Sequence, residues 1–122
     1  MAIAYRLDKL QTETLPVSFE TGQQGVYKKY FPYRCQVMKI RSQVTKALAA
    51  TDAGTITGVN AAGSSTGGVI THAASAAFGN EQTATPSDNN IVAKDSFYQL
   101  TTAKTTVGGA ANVTLEVLVL DK

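Results

Sequence analysis

Near its C-terminal end the chain reads NVTLEVLVL over residues 112–120. Val113, Leu115, Val117 and Val119 fall on one face at period two, the spacing of a strand with one side in a core. Leu118 and Leu120 fall on the other face and predict that the end of this strand is covered on both sides. Such a strand needs partners, and the sequence supplies them: GTITGVN (54–60), GGVITH (67–72), EQTAT (81–85) and SFYQLTT (96–102). Between them stand turn formers: Asp52-Ala-Gly54, the run from Asn60 to Gly68, Pro86-Ser-Asp-Asn-Asn90 and Val107-Gly-Gly109. Short strands at intervals of roughly 10–15 residues with this punctuation predict an all-β fold, an antiparallel β-sandwich or jelly roll.

The segment YRCQVMKIRSQVTKAL (33–48) alternates with a slip, because Cys35 and Val37 share one parity and Met38, Ile40 and Val44 the other. Helical spacing also fits Val37, Ile40, Val44 and Leu48. The β-branched content favours one long strand with a bulge near 37–38. Residues 1–29 look different. Leu7, Leu10, Leu15, Val17 and Phe19 are thinly spread among polar residues, with Pro16 and two glycines at 22 and 25. This pattern predicts an extended N-terminal arm over 1–29, with a short strand at 14–19, ahead of a sandwich domain over 30–122.

The chemistry a chain can perform depends on what it can bring together. NAAGSSTGGVITHAASAAFGN (60–80) is rich in glycine, but no lysine and helix start follow GSSTGG, as a phosphate loop requires; Val69-Ile70-Thr71 follows instead. The run is expected to be a hairpin turn. His72 is the one histidine and Cys35 the one cysteine, without metal-ligand spacing around either, and a lone cysteine makes no intrachain disulfide. His72 is expected at a strand end, packed against Ala73–Ala77 or solvated. No catalytic, cofactor or metal site is expected, and no membrane partner, since no apolar run approaches the roughly 20 residues of a membrane span.

Charge is uneven. Residues 1–46 hold eight basic side chains against three acids, +5, and residues 47–122 hold three against six, −3. Within the basic third, VYKKYFPYR (26–34) interleaves four aromatic residues with three cations. Aromatics stack on bases and cations hold phosphates, so single-stranded nucleic acid is one reading. Aromatics and arginine are equally what protein interfaces favour, and that reading is preferred here. Candidate partner-binding residues are Arg6, Lys9, Leu15, Phe19, Lys28, Lys29, Tyr30 and Arg34. A glycan-binding jelly roll is a further alternative, for which Tyr98 is the available exposed aromatic in the C-terminal half.

The stretch from Tyr33 onward resembles the small β-sandwich decoration, or cement, proteins of tailed-bacteriophage capsids and related head-fibre bases. The residues that carry the likeness are VTKALAATDAGTITGVNAAG after the long strand, then GGVITHAASAAFGNE, then NNIVAKDSFYQLTT and the closing strand. The third block departs from the family pattern, with Lys94-Asp95 standing where a Gly-Asp turn is usual. The resemblance implies a non-enzymatic virion protein, made in a host bacterial cytoplasm. It would bind the outer surface of the capsid through the major capsid protein and associate with itself as a homotrimer. It also implies that the arm threads toward a neighbour or the shell. A tail or head-fibre adhesin component and a single-stranded nucleic-acid-binding β-barrel are the alternatives.

Overall fold

The computed structural model of the chain describes residues 10–61 and 68–121, with Asp121 by its backbone only. Nine strands run in the order β1 (Leu10–Ser18), β2 (Val26–Phe31), β3 (Arg34–Lys46), β4 (Gly54–Asn60), β5 (Val69–His72), β6 (Glu81–Ala84), β7 (Ile91–Val92), β8 (Ser96–Ala103) and β9 (Ala110–Asp121). One sheet has the order β1-β9-β3-β6, with β7 also on β3; the other has the order β2-β8-β4-β5. All pairings are antiparallel. The chain crosses repeatedly between the sheets, which is the jelly-roll form of the β-sandwich. The architecture is all-β, as the alternation and turn spacing predict.

Period two places the core. Val113, Leu115 and Val117 are fully buried and Val119 is nearly so, facing Ile40, Val37 and Cys35 on β3 and, across the sandwich, Tyr98, Leu100 and Ile56. The expected slip in β3 is a bulge: Val37 pairs with Val117 and Lys39 with Glu116, leaving Met38 as the extra residue. The bulge resets the parity, so Cys35 and Val37 point inward before it and Ile40, Ser42 and Val44 after it. Without that extra residue the second half of β3 would turn its apolar side to solvent. At Gly58 on β4 the sheets come close. A Cβ there would sit 2.6 Å from the Tyr98 hydroxyl and 2.7 Å from Ile40 Cδ1, so no side chain fits.

The structure corrects the expected arm. Residues 10–29 belong to the sandwich: β1 pairs with β9 along its whole length, from Leu10↔Leu118 to Ser18↔Ala110, and β2 pairs with β8. Val17 and Phe19 are buried in the core and Leu15 packs against it. The physical reason the segment looked coreless is that β1 is an edge strand whose inward positions at one end are polar. Glu13 pairs with Lys29 at 3.2 Å, and the Tyr33 hydroxyl donates to Gln11 Oε1. Inward-pointing charge is a way of guarding a sheet edge against pairing with other chains. Residues 1–9, including Arg6, Leu7 and Lys9, lie outside the described residues.

Two smaller expectations change as well. β7 was not foreseen. Leu118 and Leu120 face outward and are half-buried, and among the described residues no second layer covers them, because β9 is covered only on its inner side. The expected hairpin between β4 and β5 forms with Gly54↔His72 to Thr57↔Val69 in register; its turn residues 62–67 lie outside the described residues.

Candidate interaction surfaces

Two ends of the sandwich are built differently. At one end lie the connections β1–β2, β3–β4, β5–β6 and β8–β9, and polar groups there are spent on one another. Lys104 has no exposed side-chain surface, and its Nζ donates to the Asp52 carbonyl at 2.6 Å and to Asp52 Oδ1 at 2.9 Å. The same carboxylate accepts from the Thr105 and Thr106 amides at 2.7 and 3.0 Å. The Lys104 hydrogen bond, with these amide bonds, holds the Asp52 carboxyl well below the usual carboxylate range. Thr51 next to it has φ 99, a conformation that a β-branched residue adopts only under constraint. Nearby, Glu20 Oε2 accepts from Lys46 Nζ and from the Gly109 amide, both at 2.8 Å, which lowers its pKa. Gln24 bridges the Phe19 and Lys104 carbonyls and accepts from the Lys104 amide.

His72 belongs to this end. It is fully buried, and both ring nitrogens are engaged: Nδ1 lies 2.9 Å from Asn80 Oδ1 and Nε2 lies 2.8 Å from the Ser42 hydroxyl. With Asn80 presenting its oxygen, Nδ1 donates to it, and the Ser42 hydroxyl, able to donate or accept, satisfies Nε2. This refines the expected strand-end histidine to a packed one whose partners come from β3 and the β5–β6 loop. A ring closed off in this way presents no free nitrogen to a substrate. Cys35, near the start of β3, faces the core, and burial, with a contribution from Glu13, pushes its thiol up to about 11, so it is a thiol and not a nucleophilic thiolate at neutral pH. Among the described residues no three His, Cys, Asp or Glu side chains are placed to hold a metal ion.

The other end carries apolar side chains that face out. On the outer side of the five-stranded sheet Leu10 pairs with Leu118, Leu118 with Gln36 and Gln36 with Ile91, a row across four strands. Leu10 and Ile91 are 40% and 42% exposed, and Leu120 continues the row along β9. On the outer side of the four-stranded sheet, at the same end, Tyr30 packs edge-on to Phe97 with centroids 5.4 Å apart, and Lys28 Nζ lies 4.5 Å above the Phe97 ring. Beside them an open cleft of about 260 Å³ is lined by Tyr30, Phe31, Pro32 and Asp95.

Strand alternation therefore sorts the expected partner-binding residues. Lys28 and Tyr30 point outward, and Tyr30 is 61% exposed. Lys29 turns to the seam between the sheets and is spent on Glu13, while Arg34 opens β3 with an exposed side chain. Phe19 is fully buried and Leu15 packs on the core, so neither is available to a partner. Tyr98 is also fully buried, which removes the aromatic expected for glycan binding; burial drives its hydroxyl pKa up. The sheets remain two open layers, not the closed barrel of the nucleic-acid alternative. The leucine row was missed as a surface, although Leu118 and Leu120 signalled it: both were expected under cover.

Fold and surface together define a single jelly-roll sandwich with an apolar outer end. No family model matches the sequence, and no curated protein matches it. Solved structures do share the fold. A chain from the acidic stable capsid structure of Helicobacter pylori bacteriophage KHP30 matches with a TM-score of 0.64 at 12% identity, covering 93% of this chain and 89% of that one. A chain from the capsid asymmetric unit of cyanophage Pam1 matches with a TM-score of 0.54 at 14% identity, covering 91% and 84%. At these identities the likeness is one of fold.

Proposed function

We propose that this chain is a non-enzymatic structural protein of a phage virion. It binds the outer surface of the capsid as a cement or decoration protein, with the major capsid protein and further copies of itself, as a homotrimer, for partners. The observation that carries this reading is the extent of the fold match, in which nearly all of this chain corresponds to nearly all of a phage-capsid chain. The outward-facing Leu10, Leu118, Leu120 and Ile91 supply the contact such a role needs. Fully removing one aliphatic side chain from water contributes about 1.5–3 kcal/mol, and these half-exposed ones contribute roughly half as much each. One subunit thus binds modestly, and linked copies bind tightly through effective concentration.

The test is binding to capsids that lack the protein, followed by cosedimentation and electron microscopy. The reading expects saturable decoration by the native chain and a loss of roughly tenfold or more in affinity for Leu118→Glu, which places a charge in the row. Native protein that stays in the supernatant with such capsids overturns it.

A further inference from the structure

At the end where apolar side chains face out, one acid is left over. Among the described side chains Glu13 is held by Lys29, Glu20 by Lys46, Asp52 by Lys104, and both Glu81 and Glu116 by Arg41. Asp88 is engaged as well. The Asp95 carboxylate has no hydrogen bond or ion pair among the described residues. Its position is nonetheless fixed. The Asp95 amide donates to the Phe31 carbonyl at 2.9 Å, and the Ser96 amide donates to the Ala93 carbonyl at 3.0 Å, which pins the turn before β8 to the end of β2. Asp95 takes φ 60, a left-handed conformation that Asp tolerates better than most side chains. It thus stands at the cleft of about 260 Å³ that Tyr30, Phe31 and Pro32 also line. The Tyr30 ring is held in place by its edge contact with Phe97 and is still mostly exposed. Sites for drug-sized ligands run from about 300 to 1,000 Å³, so this cleft is sized for a single ring.

We infer that this cleft binds one ring of a neutral carbohydrate. The chemistry of its walls selects this ligand over its rivals. A sugar ring has an apolar C–H side that lies on an aromatic face, and hydroxyls around its rim that donate hydrogen bonds. Tyr30 supplies the face and the unpaired Asp95 carboxylate accepts from the hydroxyls. The aromatic platform that buried Tyr98 cannot offer a glycan is thus Tyr30. An apolar ligand would strip water from the carboxylate without replacing its hydrogen bonds. A cationic ligand would pair with Asp95 but stand beside Lys94 and beside Lys28, whose Nζ lies over the Phe97 ring. An anionic ligand would face Asp95 itself. A neutral ring with many hydroxyls meets none of these costs. With one aromatic face and one charged acceptor, the cleft holds a monosaccharide weakly, with a dissociation constant of about 1 mM. Many copies on one particle strengthen the hold on a glycan-bearing surface through effective concentration.

Sugar binding goes beyond the capsid role and is tested without capsids. The isotope-labelled full chain is titrated with the methyl glycosides of glucose, galactose, mannose and N-acetylglucosamine, and separately with N-acetylarginine amide and with inorganic phosphate, while its amide resonances are followed. At least one glycoside is expected to give saturable shifts centred on residues 30–32 and 95. Tyr30→Ala is expected to weaken that binding by roughly tenfold or more, since it removes the platform. Asp95→Asn keeps the shape and tolerates the left-handed backbone, and is expected to weaken it by roughly fivefold through loss of the charged acceptor. Gln82→Ala, exposed on β6 of the other sheet, is expected to leave it unchanged. Circular dichroism verifies that each variant is folded, and Asp95→Asn carries the test if Tyr30→Ala is not. No saturable shift with any glycoside, shifts centred elsewhere, or binding untouched by a folded cleft variant overturns the inference. Tighter binding of the arginine or phosphate probe than of every glycoside overturns it too. A chain that binds a glycoside in the cleft yet stays off capsids supports the inference and overturns the capsid reading alone.

Discussion

The two ends of the sandwich use the same alphabet for opposite purposes. At the end that holds Asp52 and Lys104, the β1–β2, β3–β4 and β8–β9 connections are fastened by side chains that reach backbone groups of neighbouring loops, and the β5–β6 connection is tied to the β3–β4 loop by backbone hydrogen bonds. At the end that holds Leu10, Leu118 and Tyr30, aliphatic and aromatic side chains face outward. The first arrangement stabilises a fold whose core is made largely of valine, isoleucine and leucine, with Tyr98, Phe19 and Phe31 as its largest members. The second leaves apolar area exposed that only a partner can cover. The difference teaches where to look for function in a sandwich without a catalytic cluster: at the end where side chains are left over.

The largest effect is expected from removing residues 1–25. That deletion takes away β1 and the buried Val17 and Phe19 and bares the edge of β9. The truncated chain is expected to lose cooperative thermal unfolding; a sharp transition would mean that the core closes without β1. Next comes the contrast within β9. Leu115→Ala, fully buried, is expected to cost about 2–5 kcal/mol, and Leu118→Ala, on the outer row, less than about 1 kcal/mol. Equal losses in denaturant unfolding would show that the outer row is covered in the free protein.

The fastened end is expected to respond to acid. The Asp52 and Glu20 carboxyls have pKa values lowered from their ordinary 3.8 and 4.5 by the partners they hold. Their contribution is thus complete above the ordinary values and is lost as pH falls through the lowered ones. Asp52→Asn is expected to melt well below the native chain at pH 6, with the gap narrowing as pH drops below about 4. A gap independent of pH would assign the loss to shape and not to charge. The smallest effect is expected from His72→Gln at neutral pH in any binding assay: no change in affinity, with some loss of stability from the broken contacts to Ser42 and Asn80.

What the sequence made legible follows from distance along the chain. The closing strand, the β4–β5 hairpin and the bulge at Met38 were readable, because each is written in alternation over a few neighbouring residues. β1 was readable only in its second half, as the short strand expected at 14–19, because Gln11 and Glu13 break the alternation and their reasons, Tyr33 and Lys29, lie elsewhere. The same holds for the clamps: Asp52 meets Lys104 and Glu20 meets Gly109 from positions 52 and 89 residues apart, and nothing local announces either pair. Of the candidate partner-binding residues read from composition, Lys28 and Tyr30 face outward. Their neighbour Lys29 and the buried Phe19 show that composition cannot tell which side of a strand a residue takes.

The division of labour between the ends is tested most directly by measuring capsid binding and melting temperature together for two variants, Leu118→Glu and Asp52→Asn. The account predicts that Leu118→Glu loses binding at a nearly unchanged melting temperature. It predicts that Asp52→Asn melts lower but binds normally at temperatures where it remains folded. Normal binding by Leu118→Glu, or lost binding by a folded Asp52→Asn, would contradict it.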